Sequence, residues 1–114
     1  MSATFTDGRQ AEAAAATYLK GHGYAIVDQN WRTRWCEIDV IAQKGKVVYF
    51  CEVKYRRSDL QGSGLEYITS KKLQQMSFAA ESWVHLARWK GEYQLCAIEV
   101  AGLDFRITAF IKDF

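Results

Sequence analysis

The chain has 114 residues, enough for one compact domain over residues 1–114 around one core. Apolar residues make up 49% and charged residues 25%, unlike a disordered chain, and no stretch approaches the roughly 18–20 uninterrupted apolar residues of a membrane span. The formal charge of +2 permits an anionic partner without demanding one, and three cysteines with no C-x-x-C pair argue against a disulfide framework or a structural zinc site.

The opening residues, Met1 to Asp7, lack a basic region followed by an apolar run, so no signal peptide is expected and the expected compartment is the cytoplasm. Asp7 is expected to cap a helix from about Gly8 to Lys20. Its stripe is Ala11, Ala14, Ala15, Tyr18 and Leu19, and Gly21 and Gly23 flank the stop. Tyr24 to Val27 reads as a short strand running on toward Trp31. Cys36 to Gln43 reads as a second strand, Lys44-Gly45-Lys46 as a turn, and Val47 to Tyr55 as a third strand rich in β-formers. Arg57 to Gly64 is polar and glycine-punctuated, hence a loop. Thr69 or Ser70 caps a second helix reaching Trp89, with Leu73, Met76, Phe78, Ala79, Ala80, Trp83, Val84 and Leu86 at helical spacing. Two last strands, Tyr93 to Val100 and Phe105 to Phe110, complete the order α-β-β-β-α-β-β. This is a mixed α/β or α+β fold with a central mixed sheet flanked by helices. Cys36, Cys51 and Cys96 lie in or beside apolar strand patterns and read as small buried hydrophobes.

Basic residues interleave with aromatics in several places: Arg32 and Arg34 between Trp31 and Trp35, Arg88 and Lys90 around Trp89. Lys54, Arg56 and Arg57 form another group, and Lys71 and Lys72 a fourth. Such groups suit a phosphate backbone with stacked bases, and suit an ordinary solvated face equally well. Arg32, Arg34, Arg56, Arg57 and Lys72 are the candidate nucleic-acid contacts.

The second and third strands carry the chemistry. Side chains alternate along a strand, so Glu37 and Asp39 share one face, Ile38 and Val40 the other, and Glu52 shares a face with Lys54. Register decides whether the two polar sets meet. A two-residue loop at Lys44-Gly45 sets Glu37 opposite Glu52. A four-residue loop from Lys44 to Val47 pairs Gln43 with Val48 and sets Asp39 opposite Glu52, and is favoured here. An unbulged three-residue loop separates them. Carboxylates so close in apolar strands repel, and a hard cation resolves the conflict. Magnesium and manganese are often held by one or two carboxylates plus water and phosphate. Lys54 would then serve the growing phosphate charge or the attacking water. A cross-strand ion pair on a solvated sheet is the plainer alternative.

The spacing D-x(12)-E-x-K over a hairpin resembles the PD-(D/E)xK superfamily of metal-dependent nucleases, which includes restriction endonucleases and archaeal Holliday junction resolvases. Glu37-Ile38-Asp39-Val40-Ile41-Ala42 with Phe50-Cys51-Glu52-Val53-Lys54-Tyr55-Arg56 resembles the YraN family of small bacterial proteins within it. Glu12 in the first helix, Gly23-Tyr24, Asn30-Trp31-Arg32, Gly62-x-Gly64-x-Glu66, Lys72 and Ala109-Phe110 extend the likeness over nearly the whole chain. The resemblance implies Asp39 and Glu52 as ligands of Mg2+ or Mn2+, Lys54 as the catalytic lysine and Glu12 as a further acid near the metal. Glu37 and Glu66 stand as outer acids. Cys36 and Ala11 stand where the family usually has glycine, and Cys96 where it often has an acid.

The resulting expectation is a divalent-metal-dependent endonuclease-like protein of DNA processing or recombination. It would hydrolyse phosphodiesters in branched or single-stranded DNA, with a homodimer open by analogy with the superfamily. The alternatives are a non-catalytic nucleic-acid-binding or protein-partner module, and an assembly adaptor using aromatics such as Trp83 and Trp89.

Overall fold

The computed structural model describes residues 5–57 and 68–112. Most of the expected polar loop, and Glu66 with it, lies outside the described residues. The elements are α1 (Phe5–Gly21), β1 (Ala25–Arg32), β2 (Glu37–Lys44), β3 (Val47–Arg56), α2 (Ser70–Ala87), β4 (Glu92–Ala101) and β5 (Arg106–Lys112). This is the expected α-β-β-β-α-β-β order. Among the described residues no helix is long and apolar enough to cross a membrane.

The five strands form one sheet in the order β1-β2-β3-β4-β5. Neighbours are antiparallel except β3 and β4, which run parallel. A parallel pair needs a crossover, and α2 lies within that connection. The two helices cover opposite faces. On one, Ala11, Ala15 and Leu19 of α1 pack against Val40, Ala42, Tyr49, Cys51, Ile98 and Val100. On the other, Met76, Ala79 and Ala80 of α2 pack against Ile38, Ile41, Val48 and Phe50. Burial on both faces explains why β3 reads as a nearly continuous apolar run. All three cysteines are buried and free, as their apolar surroundings imply.

The helix ends sharpen the sequence reading. α1 begins at Phe5, so Asp7 lies in its first turn instead of capping it, where it favours the positive end of the helix dipole and pairs with Arg57 at 3.6 Å. For α2 the cap is Thr69, whose hydroxyl accepts from the Lys72 amide at 3.1 Å. α2 stops at Ala87, two residues before the expected Trp89, because Arg88 turns left-handed at φ 56°.

The hairpin register is the favoured one, Gln43 opposite Val48, but the turn is tighter. Lys44 pairs with Val47, leaving Gly45-Lys46 as a two-residue loop. Gly45 has φ +63°, the conformation that the first position of a type II′ hairpin turn demands.

Candidate metal centre

The β2–β3 ladder starts at the turn and ends at Val40 opposite Cys51. Beyond that pair β2 stays on β1, with Ile38 opposite Trp31 and Glu37 opposite Arg32. The strands therefore fork, and strict alternation fails at the fork. Ile38 belongs to the α2 side of the core and Val40, two residues on, to the α1 side. The expectation that Ile38 and Val40 share a face is corrected: once its ladder to β3 ends, β2 is released from the common pleat.

Asp39 sits at the fork, only 7% exposed. Its Oδ2 accepts a hydrogen bond from the Val53 amide at 2.7 Å, so the side chain stands in for the missing strand partner. Two more acids converge on it. The ligating oxygens of Glu12, Glu37 and Asp39 all lie within 4.8 Å of one another. Glu12 reaches the site from α1, beside the buried stripe of Ala11 and Ala15. Its Oε1 accepts from Asn30 Nδ2 at 2.9 Å. Asn30 holds φ 53° within β1, a left-handed position that asparagine tolerates better than most residues. Glu37 is held on its outer side by the Arg32 guanidinium.

Glu52 approaches from the opposite side. Val53 and Tyr55 pack on the α1 side of the core, so period two turns Glu52 and Lys54 toward the α2 face. There Glu52 Oε2 lies 2.9 Å from Lys72 Nζ on the first turn of α2. A carboxylate oxygen can accept more than one contact, so the buried Oε2 keeps acceptor capacity beside Lys72. Lys54 is exposed at the same edge.

These partners leave an unequal distribution of compensation. Glu12 has an amide, Glu37 a guanidinium and Glu52 an ammonium, whereas the hydrogen-bond donor to Asp39 is a backbone amide. Burial and then the Glu52 charge push the Asp39 carboxyl up to about 8, with Glu12 and Glu37 adding and the Val53 amide opposing. Burial pulls the Lys72 ammonium down, yet contact with Glu52 outweighs it and the net shift is upward. Burial likewise raises the Cys36 thiol beside the site; Lys72 opposes this, and Glu52, Asp39 and Glu37 reinforce it.

Asp39 and Glu12 thus meet at the fork, and the Glu52 charge acts on Asp39 from the other side. Glu37, read from sequence as an outer acid, is within the same 4.8 Å group as Asp39 and Glu12. Lys72, read as a nucleic-acid contact, lies on Glu52. Arg56 is taken up by Glu99 at 2.9 Å and Arg57 by Asp7, while Arg34 stacks over Trp35 at 5.0 Å. Asn30 escaped the sequence reading as a site residue. Its signal was present in Asn30-Trp31-Arg32, but a left-handed asparagine inside a strand cannot be read from residue type alone.

The donor set suits a hard cation. It consists of carboxylate oxygens, one of them buried with spare acceptor capacity and another destabilised as an anion by its neighbours.

The sequence matches the profile of an uncharacterised protein family, UPF0102, over residues 11–106. It is 40% identical to a UPF0102 protein of Chlorobium chlorochromatii over 93% of this chain and 88% of that one. A relative from Vibrio parahaemolyticus is 35% identical over 85% of this chain and 84% of its own length. One from Geotalea uraniireducens is 46% identical over 68% of this chain and 61% of its own.

Proposed function

The chain belongs to the uncharacterised protein family UPF0102, the YraN family that its hairpin motif resembles, and from that membership and the acidic fork we propose a Mg2+- or Mn2+-dependent nuclease-like activity on DNA. The observation that carries the reading is Asp39: a buried carboxyl set among three other acids, with its anion disfavoured until a cation arrives. Asp39 is the central ligand, with Glu12, Glu37 and Glu52 as the oxygens around it. Such an ion, when bound, polarises the phosphate and activates water.

The chain's own residues supply the rest. The Val53 amide fixes the Asp39 carboxylate so that its second oxygen is available to a ligand. Asn30 and Arg32 orient Glu12 and Glu37 from behind. Lys72 balances Glu52 in the ion-free protein, and release of Glu52 toward the metal would leave an ammonium beside the phosphate. Lys54, exposed on the same face, is the second candidate for that charge.

The test is a cleavage assay on linear, single-stranded, flapped and four-way DNA with Mn2+. Wild type should cut at least one of these, EDTA should stop it, and Asp39→Ala should be inactive. Equal cutting by purified Asp39→Ala would refute the assignment.

A second reading, a non-catalytic nucleic-acid-binding module, draws support from Trp35. It is 62% exposed with Arg34 stacked over its ring, an arrangement suited to an unpaired base. It predicts salt-dependent binding that is indifferent to Asp39→Ala and to chelator.

A further inference from the structure

The opposite end of the sheet carries a cleft that the acidic fork does not explain. It measures about 670 Å³ and lies where α2 ends and β4 begins, lined by Glu81, His85, Arg88, Trp89, Lys90 and Tyr93 among others. The Glu92 amide donates to the Lys46 carbonyl at 3.1 Å, which ties this corner to the hairpin turn. Val47 pairs with Glu92, whereas Asp39 is bound to the Val53 amide. Six strand residues at about 3.3 Å each separate cleft and fork by roughly 20 Å.

The corner is built under constraint. Arg88 occupies the left-handed cap position, φ 56°, where glycine would sit without strain. The Trp89 indole donates from Nε1 to the Glu92 carbonyl at 2.9 Å. It lies so close over Gly91 that a β-carbon there would come within 2.6 Å of the ring. Tyr93 is held edge-to-face against Phe50, ring centroids 5.7 Å apart, and is 38% exposed. Among the described residues no carboxylate engages Arg88 or Lys90. The cleft therefore sets exposed cations beside a braced aromatic wall. The carbonyl end of α2 contributes no pull on an anion, so the side chains must supply it.

We propose that this cleft is a second contact for single-stranded nucleic acid, with a base against Tyr93 and phosphates on Arg88 and Lys90. It rests on the nucleic-acid reading of the acidic fork, and gives that reading a substrate class. A strand held at both ends must span roughly 20 Å, on the order of six nucleotides at the 3.4 Å spacing of a stacked strand and fewer where the strand is extended. Duplex DNA lacks the unstacked base that the aromatic wall would take.

The experiment is fluorescence anisotropy of a labelled oligothymidylate of about 15 nucleotides, at several salt concentrations with EDTA present. The variants are Arg88→Gly combined with Lys90→Ala, and Tyr93→Leu alone. Arg88→Gly relaxes the cap, so the fold should survive, and thermal melting checks it. The double variant should bind about tenfold more weakly, with a log–log salt slope shallower by about 1.4, two single-strand phosphate contacts. Tyr93→Leu should weaken binding without changing the slope. Unchanged affinity in the double variant overturns the proposal. So does an oligoglutamate that binds the wild type as tightly with the same residue dependence, since that marks a site for an acidic protein segment. If cleavage is never found but binding follows Arg88 and Lys90, the cleft stands and the nuclease reading falls. If cleavage depends on Asp39 while binding ignores Arg88 and Lys90, the reverse holds.

Discussion

Among the described residues two carboxylates are buried, Asp39 at 7% exposure and Glu99 at 8%, and they are treated in opposite ways. Glu99 on β4 accepts from Arg56 Nε at 2.9 Å and from Thr108 Oγ1 at 2.9 Å. A cation and a hydroxyl from neighbouring strands complete its shell within the fold. Asp39, on the far side of β3, has one backbone amide and is surrounded by Glu12, Glu37 and Glu52. Both sites cost desolvation, but only one is repaid by the protein itself. The difference separates a carboxylate compensated within the fold from one left among other acids, and the proposed cation site rests on that difference.

Arg56→Ala should give the largest stability change. It removes the guanidinium that pairs with the buried Glu99 and should cost about 3–5 kcal/mol in denaturant unfolding while leaving metal affinity intact. If Arg56→Ala instead lost metal binding, the two acids would be one linked network and the contrast would fail.

The folded-state value for Asp39, about 8, lies above its ordinary 3.8. Between those values the native protein keeps a proton that the unfolded chain has released. Stability of the metal-free protein should therefore be greatest near pH 4, fall by a few kcal/mol toward pH 8, and fall no further from this group above that. Asp39→Asn should flatten the slope, and saturating Mn2+ should reverse it. Urea midpoints at several pH values read this directly, and a wild-type profile no steeper than that of Asp39→Asn would remove the electrostatic half of the contrast.

Lys72→Met should act in the middle range. Losing the ammonium leaves Glu52 and Asp39 facing one another, so the metal-free protein should lose about 1–2 kcal/mol. Its Mn2+ affinity should rise several-fold, because the competing cation is gone. A fall in affinity would mean that Lys72 positions the ligands instead of standing in for the ion. The smallest effect belongs to Arg32→Ala. Its pair with Glu37 is largely exposed on the arginine side, and stability should move by no more than about 0.5 kcal/mol.

The Asp39 half of this contrast was legible in the amino-acid sequence up to the point where strands stop being regular, and the Glu99 half was not. Alternation and the favoured hairpin register give Gln43 opposite Val48, and the ladder keeps that register as far as Val40 and Cys51, one pair short of Asp39 and Glu52. Alternation is a property of a paired ladder, so it could not anticipate the fork beyond Val40. There Ile38 changes side and Glu37 joins Asp39 and Glu12. The partners of charged residues were less visible still. Arg56 and Lys72 are indistinguishable in sequence from exposed phosphate contacts. Only the parallel β3–β4 register and the first turn of α2 bring them to Glu99 and Glu52. The helix caps fell between these cases: Thr69 and Ser70 are chemically equivalent candidates, and backbone geometry selects Thr69.

The central claim is that Asp39 is kept for a cation. Calorimetric titration of Mn2+ into the metal-free protein at pH 7, in two buffers of different ionisation enthalpy, tests it most directly. The account predicts saturable binding that releases about one proton, lost in Asp39→Asn and retained in Glu99→Gln. Binding with no proton release, or binding that survives Asp39→Asn unchanged, would contradict it.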